Sequence, residues 1–573
     1  MFSILRSGLP VFIVSLVICS FSGFALAQDA AEAGPGDPEA GKRLYRTGIG
    51  ADGESVTAVT QGDIAIDGSQ LTCVSCHRPS GMGASEGGTY VPPITAGHLF
   101  SARENTFDTR NDRFKEYYKD LQSEQFYQDV MRSRSRPAYD AGTLARAITG
   151  GVDAAGNDLN LAMPRYRLSD ADARNLAAYL RTLSGEFSPG VGEERIQFAT
   201  IVTEGHEPEL ESAFLDTIQA YVDWVNRALQ KKIARPGFSP FYRSEFSDSF
   251  RYWDLTVWRL SGPPESWDGQ LRDYYDAQPP FAVVSGLIDG RFDPIADFCN
   301  HEELPCLFPV TDLPPAEQDD GGYTMYFSRG LTLEGEAAAS YLAAADGSPP
   351  ELVLQLYLDD DHGRAAAQAF AAKAGELLPQ TRVASRMFPE AEGFENAISR
   401  AGGSGADVLV LWPGREPEAA LKVLAEVAPE MDRIILPMSA AEPAEDIITG
   451  DLRDRTLFTW RYADPAKVLP QSYRARAWMR ARRLPIVDWN QQVKGFFAAR
   501  FLEWAMEHMI TDYYRDYLIE IMEHGADNAI DPGPHHQLTL GPGQRFGSKG
   551  AYLVRLDAES RKGVAAVSDI IIP

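Results

Sequence analysis

The residues best suited to chemistry lie in one run of five, Cys73-Val74-Ser75-Cys76-His77. Two thiols three positions apart, followed at once by an imidazole, make a CxxCH pattern. Thiols so placed add to the two vinyl groups of a haem and fix the macrocycle to the chain. The adjacent imidazole then lies under the iron as its proximal ligand. A redox dithiol would want a strand–helix–strand setting, but the surroundings are rich in Gly, Ser and Pro. Half a zinc site would want a second cysteine pair at suitable spacing, and Cys299 and Cys306 stand far off. The run therefore calls for one haem c, attached at Cys73 and Cys76, with iron on His77.

Such a group needs a helical frame and a second axial ligand. Leu176, Tyr179, Leu180 and Leu183 recur at helical spacing, and Ser169 with Asp172 three residues on marks a helix start. An earlier helix is expected from Pro38 onward, with Asp37 as its cap. Met163, followed by Pro164 just ahead of the last helix, offers a thioether that can fold back to the open haem face. His98 and Met131 are its rivals, and Met82 lies too close to His77. Over residues 38–187 this order resembles the class I cytochrome c family, which implies an all-α domain. The resemblance also implies that the carbonyl of Pro92 or Pro93, in Tyr90-Val-Pro-Pro-Ile, accepts the other imidazole N–H of His77. Residues 100–138 read as an insertion. It is either a solvated helix packed on the domain or a cover at the haem edge.

The first residues set the compartment. Arg6 is the sole charge before Asp29, an apolar run follows, and Ala25-Leu26-Ala27 fits a small-x-small cleavage site. Residues 1–27 thus read as a secretory signal peptide, with an uncleaved anchor as the alternative. A mature protein with no stable membrane span, in the periplasm, is expected. In that oxidising setting Cys299 and Cys306 suit a disulfide, the alternative being a metal site with His301.

A short linker near residues 184–194 leads into a different pattern. Apolar runs (196–202, 252–260, 281–287, 306–310, 352–358, 381–388, 407–412, 433–438) alternate with amphipathic helical stretches. That alternation calls for parallel sheets covered by helices, and the length suits two lobes. The order resembles type I periplasmic binding proteins of the Leu/Ile/Val-binding class over residues 195–573. It is carried by Ala282-Val-Val-Ser-Gly-Leu, Leu304-Pro-Cys-Leu-Phe-Pro-Val-Thr, Tyr326-Phe-Ser-Arg329 and Val353 to Gly363. The resemblance implies a small-molecule cleft at the carboxyl ends of the strands. Ser285, Asp289, Thr311, Arg329, Asp360, His362 and Trp412 are the candidate cleft residues. Asp289-Gly290-Arg291 stands where small residues are expected, which puts an amino-acid ligand in doubt. The closing run from Leu540 to Leu556 resembles proteins associated with quinone (PQQ)-dependent alcohol oxidation.

Composition narrows the function. With 54 basic and 81 acidic residues in 573, the net charge is −27. No segregated basic patch is present, which argues against nucleic acid as a partner. No nucleotide-binding glycine loop or Ser/His/Asp arrangement stands out, and His535-His536 alone does not make a metal site. The chain reads as a single-electron carrier rather than an enzyme with its own substrate. Its partners are redox proteins, such as a quinoprotein dehydrogenase or a terminal-oxidase chain, and its second domain senses a small ligand or docks a partner. The alternative is an ABC-type solute receptor with an accessory haem.

Overall fold

The computed structural model describes residues 35–86, 89–103, 135–234, 251–315, 322–344, 349–467, 470–525, 533–560 and 563–573. The expected signal peptide, Met131 and most of the 100–138 insertion lie outside the described residues.

The first part is built around two crossing helices. Helix α1 (Pro38–Thr47) starts at Asp37, whose side chain accepts the Glu39 N–H, and ends at Gly48 in the left-handed region. Strands β1 (Thr57–Thr60) and β2 (Ile64–Asp67) follow, then α2 (Cys73–His77), β3 (Ala84–Glu86), β4 (Thr89–Val91), α3 (Ala96–Leu99) and α4 (Ala141–Gly150). Strand β5 (Arg165–Arg167) leads into α5 (Asp170–Thr182), which opens with a reciprocal cap between Ser169 and Asp172. Asp37 N–H donates to Asn175 Oδ1 at 2.9 Å, and the Tyr45 and Tyr179 rings lie 5.4 Å apart. Gly41 lets α1 reach α5, because a Cβ there would stand 2.1 Å from the Asn175 carbonyl oxygen. Leu44, Leu144, Ile148, Leu176, Leu180 and Leu183 form the core between these helices and α4.

The expectation of an all-α first domain needs correction. Strand β1 pairs antiparallel with both β2 and β5, and β3 pairs with β4. The reason is local. Thr57 to Thr60 is β-branched at three of four positions, and Gly62 and Asp63 both take positive φ, which turns the chain back into β2.

The second part has two α/β lobes. Lobe 1 contains β6 (Arg195–Thr203), α6 (Pro208–Ala234), β7 (Tyr252–Leu260), α7 (Trp267–Ala277), β8 (Ala282–Leu287), α8 (Asp293–His301), β9 (Cys306–Leu307) and β10 (Thr324–Met325). Its five strands are parallel in the order β10-β9-β8-β6-β7. Every residue of β8 is buried, as a strand covered by helices on both faces requires.

Lobe 2 begins with α9 (Gly330–Ala344) and runs through β11 (Leu352–Leu358), α10 (Asp361–Leu377), β12 (Arg382–Phe388), α11 (Ala391–Arg400), β13 (Val408–Trp412), α12 (Glu418–Val427) and β14 (Arg433–Leu436). Helices α13 (Ala441–Ile447) and α14 (Asp451–Arg455) precede β15 (Thr456–Trp460). The chain then returns to lobe 1 for α15 (Pro470–Ala481), α16 (Trp489–Met509) and α17 (Arg515–Gly525). It ends in lobe 2 with β16 (Tyr552–Leu556) and β17 (Val564–Ala566). The lobe 2 sheet is mixed, in the order β12-β11-β13-β14-β15-β16-β17, with the last two strands antiparallel. Purely parallel sheets were the expectation. The antiparallel edge arises because the closing segment enters lobe 2 from the opposite end.

Three segments thus cross between the lobes. Tyr326 bridges to Phe546, and Tyr462 bridges to His535, so the crossings are tied to one another. Among the described residues, no helix is long and apolar enough to cross a membrane.

Gly41→Ala should destabilise the first part by about 1–3 kcal/mol, since a backbone carbonyl cannot yield as a side chain can. Denaturant unfolding followed by circular dichroism checks this. Gly269→Ala, with open space around it, is the control and should cost nothing.

Candidate functional site

Helix α2 holds the cysteine–histidine run on a single turn, and hydrogen bonds fix the chain at both of its ends. Before it, Tyr166 Oη–H donates to the Leu71 carbonyl at 2.8 Å. After it, Tyr45 Oη–H donates to the Arg78 carbonyl at 2.6 Å. Arg78 takes a positive φ of 66°, which turns the chain sharply away from His77. Ser184 Oγ then donates to the Ser80 carbonyl at 2.7 Å.

His77 Nδ1 lies 3.2 Å from the Pro92 carbonyl oxygen. A carbonyl only accepts, so Nδ1 carries the proton and the Nε2 lone pair is left for a metal. Although part of the ring's surface reaches solvent, desolvation lowers its pKa to about 4, partly opposed by the Pro92 hydrogen bond. The imidazole is therefore neutral at pH 7, the form that ligates iron. Cys73 is half-buried, and desolvation pushes its thiol up to about 12. Cys76 is exposed. Neither thiol is disulfide-bonded.

Met163 is half-buried and packs, with Cys73 and Val74, against the core shared by α1, α4 and α5. Its carbonyl accepts from the Arg165 guanidinium, and its N–H donates to the Asn160 carbonyl. His98 is exposed, with Nδ1 2.8 Å from Thr95 Oγ1, and its surroundings include Asp512 of lobe 1. An apolar slot beside Cys73 is lined by Leu44, Val56, Ile148, Tyr166, Leu168 and Leu176. Two thiols and a neutral, pre-oriented imidazole on one turn are the donor set that a covalently held haem requires.

The segment after His77 is gripped by α17. Arg78 Nη2 pairs with Glu523 Oε2 at 2.5 Å, both side chains being buried, and Glu523 Oε1 also holds Arg545 at 2.5 Å. The Ser80 N–H and Oγ–H both donate to Glu520, at 2.8 and 2.6 Å. One turn earlier, Asp516 accepts from Tyr323 Oη at 2.6 Å and pairs with Arg46 at 3.4 Å. Lys42 reaches Glu303 at 2.6 Å. Burial raises the Glu520 carboxyl to about 8, partly opposed by its Ser80 hydrogen bonds, and raises Asp516 as well.

A second site lies between the lobes, a cleft of about 1560 Å³. Of the residues expected there, Asp289, Thr311 and His362 line it. The other four serve the framework. Ser285 Oγ donates to the Phe308 carbonyl inside the lobe 1 sheet, and Arg329 pairs with Glu336. Asp360 caps α10 through Gly363, and Trp412 is buried in lobe 2. Cys299 and Cys306 form a disulfide between α8 and β9.

Sequence reasoning passed over the residues at the cleft floor. Arg461 pairs with Asp312 and with Glu334, each at 2.6 Å, joining a lobe 1 loop to α9 of lobe 2. Burial alone would raise Asp312, but Arg461 and then Lys494 outweigh it and hold that carboxyl well below its ordinary range. Burial raises Glu334 despite Arg461. Lys494 lies in the cleft wall, and desolvation lowers its ammonium to about 8. His535 is stacked on Phe327 beneath. At the mouth, Arg415 of lobe 2 pairs with Asp289 of lobe 1 and donates to the Gly205 carbonyl. A single charge in the apolar run Val493 to Ala499 was the available signal for Lys494.

Residues 65–184 match the Cytochrome c family model. No curated protein matches the chain. Solved structures that resemble it include a fatty acid ABC transporter substrate-binding protein from Thermomonospora curvata. That one is 14% identical, covering 68% of this chain and 95% of that one, with a TM-score of 0.46. A branched chain amino acid ABC transporter protein from Thermus thermophilus with bound valine is 13% identical, covering 66% and 97%, with a TM-score of 0.49. A leucine binding protein from Thermotoga maritima is 14% identical, covering 66% and 99%, with a TM-score of 0.46. The two-lobed architecture is read from the strand order itself. The chain thus joins a segment that matches the Cytochrome c family model to a two-lobed α/β part.

The docking of the two parts should depend on pH through Glu520. Its carboxyl rises from 4.5 when unfolded to about 8 when folded, beside Ser80, Asp516 and Arg78. The folded state then holds the extra proton between those values. Its contribution is full below about pH 4.5 and is lost as pH rises through about 8. Urea midpoints at pH 5, 7 and 9 should fall accordingly, and Glu520→Gln should flatten the trend.

Proposed function

We propose that the protein is an exported, periplasmic c-type cytochrome that passes single electrons, with a ligand-binding or partner-docking domain fused to it. Cys73 and Cys76 would hold one haem covalently, and His77 and Met163 would supply the ligands to its iron. Bound there, the haem supplies one-electron chemistry at its iron. The observation that carries this reading is the fixed turn of α2, with the neutral His77 ring oriented by Pro92.

The chain's own residues then have defined tasks. Pro92 fixes the His77 ring plane and tautomer, the role of the outer partner of a metal-bound histidine. Tyr45 and Tyr166 hold the two ends of α2, so the ligand set moves little when charge changes. Met163 supplies a weak thioether donor, a ligand type that raises the potential. That suits an acceptor of electrons from a substrate oxidase. Pro93 lies beside the acceptor without taking its place in the recorded hydrogen bond.

The resemblance of residues 540–556 supports a partner in PQQ-dependent alcohol oxidation, the electron passing from a quinoprotein dehydrogenase toward the respiratory chain. The charge of −27 suits a partner with a basic face. A solute receptor with an accessory haem is the second reading, favoured by the cleft between the lobes with charged groups in its lining.

Mass spectrometry of the purified protein should find one haem-sized adduct on the peptide carrying Cys73 and Cys76. An unmodified peptide would remove the basis of the electron-carrier reading. Met163→Ala should lower the reduction potential and open the iron to carbon monoxide and cyanide, while the covalent adduct persists. A potential and ligand-binding rates unchanged in that variant would place the distal ligand elsewhere.

A further inference from the structure

Lys494 is the buried cation whose place the fold does not explain. Its side chain is 95% buried, with 5% exposure, yet it lines the cleft. Among the described residues its Nζ makes no ion pair or hydrogen bond. Its near neighbours are two aromatic faces, Tyr462 at 5.2 Å and Phe327 at 5.8 Å from the ring centroids. The carboxylates around it are already engaged. Asp312 and Glu334 serve Arg461, and Asp488 caps α16 through Gln491. Asp312, Asp488 and Glu334 act on it only at a distance, and removing an ammonium from water with no direct hydrogen-bond partner is costly. A group kept in this state is one that a ligand completes.

The walls restrict that ligand. Trp460, Tyr462 and Trp489 contribute aromatic rings to the cleft lining, with the Arg476 guanidinium over one face of Trp489. Trp460 already spends its indole N–H on the Ala463 carbonyl, which leaves its ring for packing. Asp289, Glu442, Glu445, Asp464, Asp557 and Glu559 also line the cleft. Their field opposes a dianion, while Lys494 balances one negative charge.

We propose that Lys494 anchors the carboxylate of a small organic monoanion whose apolar body packs on Tyr462, Trp460 and Trp489. This rests on the reading of the second part as a ligand-binding domain. Desolvation and the nearby Arg461 lower the pKa of the ammonium, against Asp312, Asp488 and Glu334, and a ligand carboxylate in direct contact would favour its charged form.

Titration calorimetry on the full-length, haem-loaded protein tests the proposal, with benzoate as probe and benzamide, succinate and phenylalanine as comparators. Benzoate should bind, with benzamide and succinate at least about tenfold weaker. Lys494→Met should weaken benzoate by about tenfold to a hundredfold, the usual span for a charged hydrogen bond. Methionine is close in volume to the lysine stem, so the unliganded melting temperature and visible spectrum should be kept. Lys494→Arg should retain much of the binding. Equal benzoate affinity in wild type and Lys494→Met, or no benzoate binding at millimolar concentration, overturns the proposal. Benzamide or phenylalanine binding equally to both proteins also overturns it, but leaves the ligand-binding reading of the cleft standing.

Discussion

The structure turns on three carboxylates of one helix face. Asp516, Glu520 and Glu523 recur at i, i+4 and i+7 on α17, and all three point at partners on or near the cytochrome segment. Glu523 bridges two buried guanidinium groups, Arg78 and Arg545, through its two carboxylate oxygens. Charges so deep are tolerated only when paired. Removing one partner of such a pair costs about 3–5 kcal/mol, whereas the pair as a whole adds little to net stability. The arrangement therefore serves register more than strength. It favours one way of seating the two parts, because any other leaves Arg78 without its counter-ion in a low-dielectric interior.

That register reaches the redox site by the shortest route available. Arg78 follows His77 directly, and Ser80 lies three residues from it. The cytochrome turn is consequently held from both sides. Tyr45, Tyr166 and Pro92 act from within its own fold, and Glu520 and Glu523 act from lobe 1. On the far side, Arg545 stands next to Phe546, whose ring stacks on Tyr326 at 5.0 Å. Tyr326 adjoins Phe327, one of the two rings facing Lys494. A continuous line of packed and paired side chains thus joins the His77 turn to the cleft floor.

Much of this was legible in the sequence where the signal was local. The five residues from Cys73 to His77 named their chemistry by spacing, and Ser169 with Asp172 marked the start of α5 to the residue. Strands 252–260 and 352–358 were delimited by apolar runs flanked by turn residues. The strands of the first part were less visible, because a helical family resemblance drew attention from Thr57 to Asp67. The strands β16 and β17 escaped because they follow a long stretch without a helix, so strand–helix alternation does not mark them. The cleft was legible only in outline. Asp289, Thr311 and His362 follow strands on their own lobe, whereas Arg461, Glu334 and Lys494 come from three distant stretches. Their meeting depends on how the crossing segments thread, which no short-range pattern encodes. The grip of α17 was hidden for the same reason, since Arg78 and Glu523 are 445 residues apart.

The pairings that seat the cytochrome end on one lobe. Glu303, Asp516, Glu520 and Glu523 all belong to lobe 1, and among the described residues no recorded pairing ties the cytochrome to lobe 2. The Arg415 latch to Asp289 and Gly205 instead spans the mouth of the cleft. Lobe 1 and the cytochrome therefore form a single chassis, and lobe 2 is joined to it across the cleft by the Arg415 latch and by the pairing of Arg461 with Asp312 and Glu334. A rearrangement of lobe 2 that parted both links would leave the Glu520 and Glu523 contacts with the segment after His77 in place.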